Sequence, residues 1–83
     1  MIKVSIIIPS FNQSQYLNSA ISSALDQTVK AHEVIVVDDG STDNSLVVAK
    51  SYENLGVKVI SQVNKGLPSA RNTGILNATG DYC

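Results

Sequence analysis

Apolar residues along this chain fall into short continuous runs and longer spaced stripes, and the two kinds alternate. Residues 4–8 are dense in β-branched side chains and stop at Pro9. That pattern predicts a buried strand closed by a residue that cannot extend a central ladder. Ser10, Phe11, Asn12, Gln13 and Ser14 form a polar turn with several capping groups, of which Ser14 is the favoured helix cap. Leu17, Ala20, Ile21, Ala24 and Leu25 then recur at helical spacing and predict a helix over residues 14–27.

The same alternation repeats downstream. Residues 33–37 form a second buried run, and residues 38–43 carry loop and cap chemistry. Residues 46–52 continue as a helix, with Gly56 suited to a left-handed stop. Residues 57–61 predict a third strand and residues 62–67 a loop. Pro68 fits the first turn of a third helix running through Ile75 and Ala78. Gly80 ends it, and residues 81–83 begin a fourth strand. Alternating strands and helices predict an α/β fold: three α/β/α layers, a parallel sheet and right-handed crossovers. Residues 1–83 are then one partial domain, cut at the start of its fourth strand.

Ligands of such sheets bind beyond the carboxyl ends of the strands, which selects residues 9–14, 38–43 and 61–71. Phe11 offers a ring that stacks on a nucleobase or packs under the first helix. Asp38 and Asp39 bind a metal, shuttle a proton, accept from a ligand N–H, or form an ordinary Asx-turn. Asp43 or Thr42 caps the second helix. Arg71 sits one turn into a helix, where a cation is mildly unfavourable. Its position suggests an anionic partner, either the acidic pair or ligand phosphate. Gly66 would let backbone approach a ligand, while Lys65 and His32 read as surface and Tyr16, Tyr52 and Tyr82 as core or half-buried.

Composition narrows the classes. The chain has 83 residues, 43% hydrophobic and 16% charged, with net charge -1. A domain this short buries little more than roughly 60% of its unfolded surface, so its core is thin. There is no basic field for nucleic acid or anionic lipid. The one cysteine, Cys83, cannot form an intrachain disulfide, which suits a reducing compartment. The amino-terminal run lacks the features of a signal peptide and is too short to span a membrane. The expected location is cytoplasmic, with the inner membrane surface as the alternative; the sequons at Asn12 and Asn77 are then chance. No dinucleotide or phosphate-loop glycine motif, zinc spacing or serine-nucleophile elbow occurs.

Three segments together resemble one family. They are Val4-Ser5-Ile6-Ile7-Ile8-Pro9-Ser10-Phe11-Asn12, then Glu33-Val34-Ile35-Val36-Val37-Asp38-Asp39-Gly40-Ser41-Thr42-Asp43, then Asn64-Lys65-Gly66-Leu67-Pro68-Ser69-Ala70-Arg71-Asn72-Thr73-Gly74-Ile75. In this order they look like the family 2 glycosyltransferases of the GT-A fold, over nearly the whole chain. The resemblance implies a nucleotide-sugar donor, most often a UDP-sugar, with Pro9 and Phe11 bordering the base. It implies Asp39 as acceptor of the uracil N–H and places Asn64 and Arg71 near base and diphosphate. Phenylalanine replaces the usual tyrosine at position 11, keeping the stacking face and losing the hydroxyl.

The resemblance also implies an inverting transfer, in which an acceptor oxygen attacks the anomeric carbon with help from a general base. A divalent metal, manganese or magnesium, stabilises the leaving diphosphate. The metal motif and the base are expected beyond Cys83, so no catalytic residue is assigned in this chain, which alone is expected to be inactive. A non-catalytic nucleotide-binding module is the alternative. A receiver-like phosphoacceptor domain fits less well, because its acidic pair follows the first strand. With no fourth strand, residues 4–8 would form an open apolar edge prone to self-association.

Overall fold

The computed structural model describes residues 4–26 and 33–79. Its strands are β1 (Ser5–Ser10), β2 (Glu33–Asp39) and β3 (Lys58–Gln62). Its helices are α1 (Ser14–Leu25), α2 (Ser45–Lys50) and α3 (Leu67–Asn77), with a short 3-10 turn at Glu53–Leu55. The expected helix end at Gln27, His32, the stop at Gly80, Tyr82, Cys83 and the fourth strand lie outside the described residues.

The strands run parallel in the order β1-β2-β3. Alternation then sorts side chains between the two faces. Leu17, Ile21 and Ala24 of α1 and Ala49 of α2 pack with Val34 and Val36 on one face, joined by Ile6, Ile8 and Val59. Ile35 and Val37 meet Ala70 of α3 on the other, joined by Ile7 and Ile60. Three layers result, and β2, central in the described sheet, is buried on both sides. That is why its apolar run is continuous rather than alternating.

Both strands 1 and 2 run further than the apolar runs suggest. Pro9 lies within β1, opposite Val37, and Ser10 pairs with Asp38. The proline is tolerated because β1 is an edge of the described sheet. Asp38 and Asp39 are the last residues of β2 rather than loop. Gly56, at φ 92, closes the 3-10 turn and not α2 itself. Tyr16, expected in or near the core, is 66% exposed, while Tyr52 is half-buried against the α1 cluster.

Opposite the strand carboxyl ends, Glu33 ties three elements together. Its carboxylate accepts from Ser5 Oγ at 2.8 Å and from the Thr79 amide, and pairs with Lys58 Nζ at 2.8 Å. Burial opposes ionisation of Glu33, but the hydrogen bond from Lys58 and those from Thr79 and Ser5 outweigh it and hold the pKa at about 2. Because the folded pKa lies below the unfolded value, this stability is present above the usual glutamate range and lost as pH falls through it toward 2. Urea midpoints of the wild type minus those of Glu33→Gln should therefore be largest near pH 6 and shrink steadily between pH 4.5 and 2.

Gly74 sets how closely α3 approaches the sheet. A Cβ there would lie 2.4 Å from Ile7 Cγ2 and 3.4 Å from Val37 Cγ2. Ile7 is β-branched and has little freedom to turn away. Overpacking costs about 1–3 kcal/mol, against a helix-propensity gain of about 1 kcal/mol for alanine. Gly74→Ala should consequently lower the denaturation midpoint, and an unchanged or raised midpoint would show that α3 can back away freely.

Candidate functional site

At the carboxyl ends of the strands, the strand pleat separates the adjacent aspartates. Asp38 shares its face with Val34 and Val36, while Asp39 shares the opposite face with Ile35 and Val37. This division removes the close repulsion expected of neighbouring acids and gives each its own partners.

Asp39 is bound into the β3–α3 loop. Its Oδ1 accepts from Gln62 Nε2 at 2.8 Å and the Lys65 amide at 2.9 Å, and its Oδ2 from the Gly66 amide at 2.8 Å. Asn64 Nδ2 donates to the Asp39 carbonyl at 3.0 Å. The Gln62 hydrogen bond holds the Asp39 carboxyl below the usual range, with burial opposing and the two loop amides assisting. Gly66, at φ 97, turns its amide inward toward this carboxylate. Gly40, at φ 71, lets the second loop press against Asn64, where a Cβ would lie 2.7 Å from the Asn64 nitrogen.

Asp38 is less committed. Its Oδ2 accepts from the Ser41 amide at 3.1 Å, an ordinary turn bond. Its Oδ1 is buried without a hydrogen-bond partner, as is Ser10 Oγ. The two residues are register partners on β1 and β2, and each is only 2% exposed. A buried acceptor left unpaired costs a full desolvation penalty, so two together mark a place where a ligand can supply the missing bonds.

Phe11 follows immediately, 36% exposed, and so is not buried beneath α1. Pro9 is half-buried on β1. Asn64 and Arg71 are exposed on the third loop and helix. Arg71 makes no ion pair with the acidic residues among the described residues, where the salt bridge found is Lys58 to Glu33. The fold thus brings Phe11, Asp38, Asp39 and Asn64 to one end of the sheet, while Arg71 lies on α3 with its charge unmatched.

Sequence reasoning missed Ser10 and misassigned the cap of α1, whereas Asp43 does serve the start of α2 as expected. Ser14 does not cap α1; its amide donates to Asp43 Oδ2. Asp43 accepts from the amide of Ser45, the first residue of α2, at 2.9 Å. The Ser45 hydroxyl bond, then its amide, hold the Asp43 carboxyl low against burial. Extending both apolar runs by two residues would have paired Ser10 with Asp38; nothing in the local pattern announces that extension.

Among the described residues the acidic side chains do not converge on a divalent-metal site. No three His, Cys, Asp or Glu side chains converge among the described residues. Asp38 and Asp39 also face opposite sides of the sheet, so they cannot share an ion, and no chemical step is assigned to a metal in this chain.

A parallel sheet with an aromatic ring and unpartnered buried polar groups at its carboxyl edge has the architecture of the α/β proteins that take ligands at that edge. The sequence profile of Glycosyl transferase family 2 matches residues 5–83, and the chain belongs to that family. It is 44% identical over 82 residues to the cholesterol galactosyltransferase of Borreliella burgdorferi, covering 96% of this chain and 23% of that protein. It is 46% identical over 81 residues to chondroitin synthase of Escherichia coli, covering 95% of this chain and 12% of that protein. The fold is similar to that of glucosyl-3-phosphoglycerate synthase from Mycobacterium tuberculosis, solved with Mn2+, UDP and glucosyl-3-phosphoglycerate. There the TM-score is 0.71 and the identity 26%, over 99% of this chain and 33% of that one. The chain therefore spans a third or less of the length of each of these proteins.

Asp39→Asn would set an amide donor either against the Gly66 amide or against the Lys65 amide and the Gln62 side chain. Amide exchange at Lys65 and Gly66 should accelerate and the melting temperature fall, with exchange at Thr42 and Asp43 unaffected. Unaltered protection at Lys65 and Gly66 would show that Asp39 does not hold the third loop.

Proposed function

We propose that this chain binds the nucleotide half of a nucleotide-sugar donor, a UDP-sugar, for a glycosyltransferase that passes the sugar to an acceptor hydroxyl with inversion. The observation that carries the reading is the unpartnered pair Asp38 Oδ1 and Ser10 Oγ beside Phe11. Uracil presents an N–H beside a carbonyl, which matches an acceptor carboxylate beside a hydroxyl donor. Phe11 supplies a face for the ring, and Pro9 borders it. Arg71 and Asn64 lie toward the diphosphate, where Arg71 would find the anionic partner it lacks among the described residues.

Asp38 is the acceptor with an oxygen to spare. The resemblance singles out Asp39, whose Oδ2 holds one loop amide and so retains a lone pair. The two assignments differ in outcome. With Asp38 as acceptor, Asp38→Asn weakens UDP binding and leaves the third loop ordered. With Asp39 as acceptor, Asp39→Asn weakens it more than the loosened loop explains. The divalent metal and the general base of the complete enzyme belong to residues other than those described. No described helix is long and apolar enough to cross a membrane.

Calorimetry with UDP on the full-length protein tests the site. Phe11→Ala should cost about 1–3 kcal/mol, the usual worth of a base stacked on an aromatic ring, while Phe11→Tyr should bind as well or better. Arg71→Lys should weaken UDP binding, because a forked contact to phosphate is not reproduced by an ammonium. Undiminished affinity in Phe11→Ala and in both aspartate variants would sink the reading.

We also propose that the 83-residue chain by itself self-associates and transfers no sugar. Among the described residues β1 pairs on one side only, and a groove of about 520 Å³ runs along its other side. Ile6, Ile7, Ile8 and Pro9 line it from the strand, and Tyr16 and Ala20 from α1. An apolar edge of this kind recruits another strand, and the near-neutral net charge of -1 gives a second copy little repulsion. Sedimentation at micromolar concentration should show dimers or larger species, and a clean monomer would overturn the expectation.

A further inference from the structure

The β1–α1 and β2–α2 loops hold each other through a reciprocal set of bonds centred on Asn12. Its backbone is left-handed, at φ 49, the one positive φ outside glycine among the described residues. Asparagine is one of the few residues that adopts this conformation readily. Its Oδ1 accepts from the Thr42 amide at 2.7 Å and the Asp43 amide at 3.3 Å. Its own amide donates to Ser41 Oγ at 2.9 Å. The next two amides follow the same course, Gln13 to Ser45 Oγ at 3.2 Å and Ser14 to Asp43 Oδ2 at 3.4 Å. Two of the donors left open at the start of α1, those of Gln13 and Ser14, are thus satisfied by Ser45 and Asp43, and Asn12 returns the service ahead of α2.

Phe11 sits between two anchors. Ser10 is held by β1 on one side, and Asn12 is held by the second loop on the other. The ring itself is over a third exposed, so packing alone does not fix it. We infer that Asn12 is a positioning residue: it sets the Phe11 ring against the Asp38 loop, so that the base-binding cleft exists before the nucleotide arrives. The inference rests on the nucleotide reading above and adds a residue that touches no ligand. A preformed cleft binds more tightly because the ordering cost is met in folding.

Asn12→Gly keeps the left-handed backbone and removes Oδ1, whereas Asn12→Asp keeps an acceptor in the same place. In the full-length protein, Asn12→Gly should accelerate amide exchange at Thr42 and Asp43 and lower UDP affinity about tenfold with the protein fully folded. Asn12→Asp should recover most of both. The decisive comparison is the Phe11→Ala background, where Asn12→Gly should cause little further loss if it acts through the ring. An equal loss in both backgrounds, or unchanged exchange and affinity in Asn12→Gly, would overturn the inference. Failure of the wild type to bind UDP at all would instead overturn the nucleotide reading, and faster exchange in Asn12→Gly would then mark Asn12 as purely structural.

Discussion

Burial of β2 on both faces is the constraint on which the other elements depend. Val34, Ile35, Val36 and Val37 are all closed off from solvent, and a strand so placed requires a cover on each side. α1 and α2 supply one, α3 the other. Parallel pairing with β1 and β3 aligns three carboxyl ends and gathers three loops at the same edge. The location of the candidate site follows from that alignment, independently of the particular side chains in the loops.

Within that edge, the period-2 pleat gives the acidic pair two separate tasks. Asp39 faces α3, where its carboxylate gathers Gln62 and the amides of Lys65 and Gly66. Asp38 faces α1, keeps one turn bond and retains an unsatisfied oxygen. One acid thus organises a loop and the other keeps a buried oxygen unpaired. Asn12 performs the matching service between the first and second loops, so each neighbouring pair of loops is tied by one polar side chain. At the opposite end of the sheet Glu33 closes the structure through Ser5, Lys58 and Thr79. The two ends of the sheet use the same chemistry, a carboxylate collecting donors from separate elements.

Family membership and the parallel architecture bear on different parts of the function. The match to Glycosyl transferase family 2 covers residues 5–83, and the mycobacterial relative with a similar fold was solved with UDP and Mn2+. The described residues hold no convergent metal set.

The order of strands and helices, the two-sided burial of β2 and the three loops of the site were determined by the sequence alone. Each of these follows from local periodicity: continuous β-branched runs, a helical stripe at Leu17, Ile21 and Ala24, and turn residues between them. The same three motifs, taken in order, carried the family resemblance. Only the tertiary structure decided that β1 and β2 extend through Ser10 and Asp39, because polar residues join a strand when a neighbouring strand, rather than their own pattern, supplies the pairing. Likewise it decided that Asn12 and Asp43 satisfy amides on each other's loops, 31 residues apart, and that Asp39 serves a loop 26 residues away. Local propensity records which groups can cap a helix, but a cap borrowed from another loop exists only once the sheet has brought the two together.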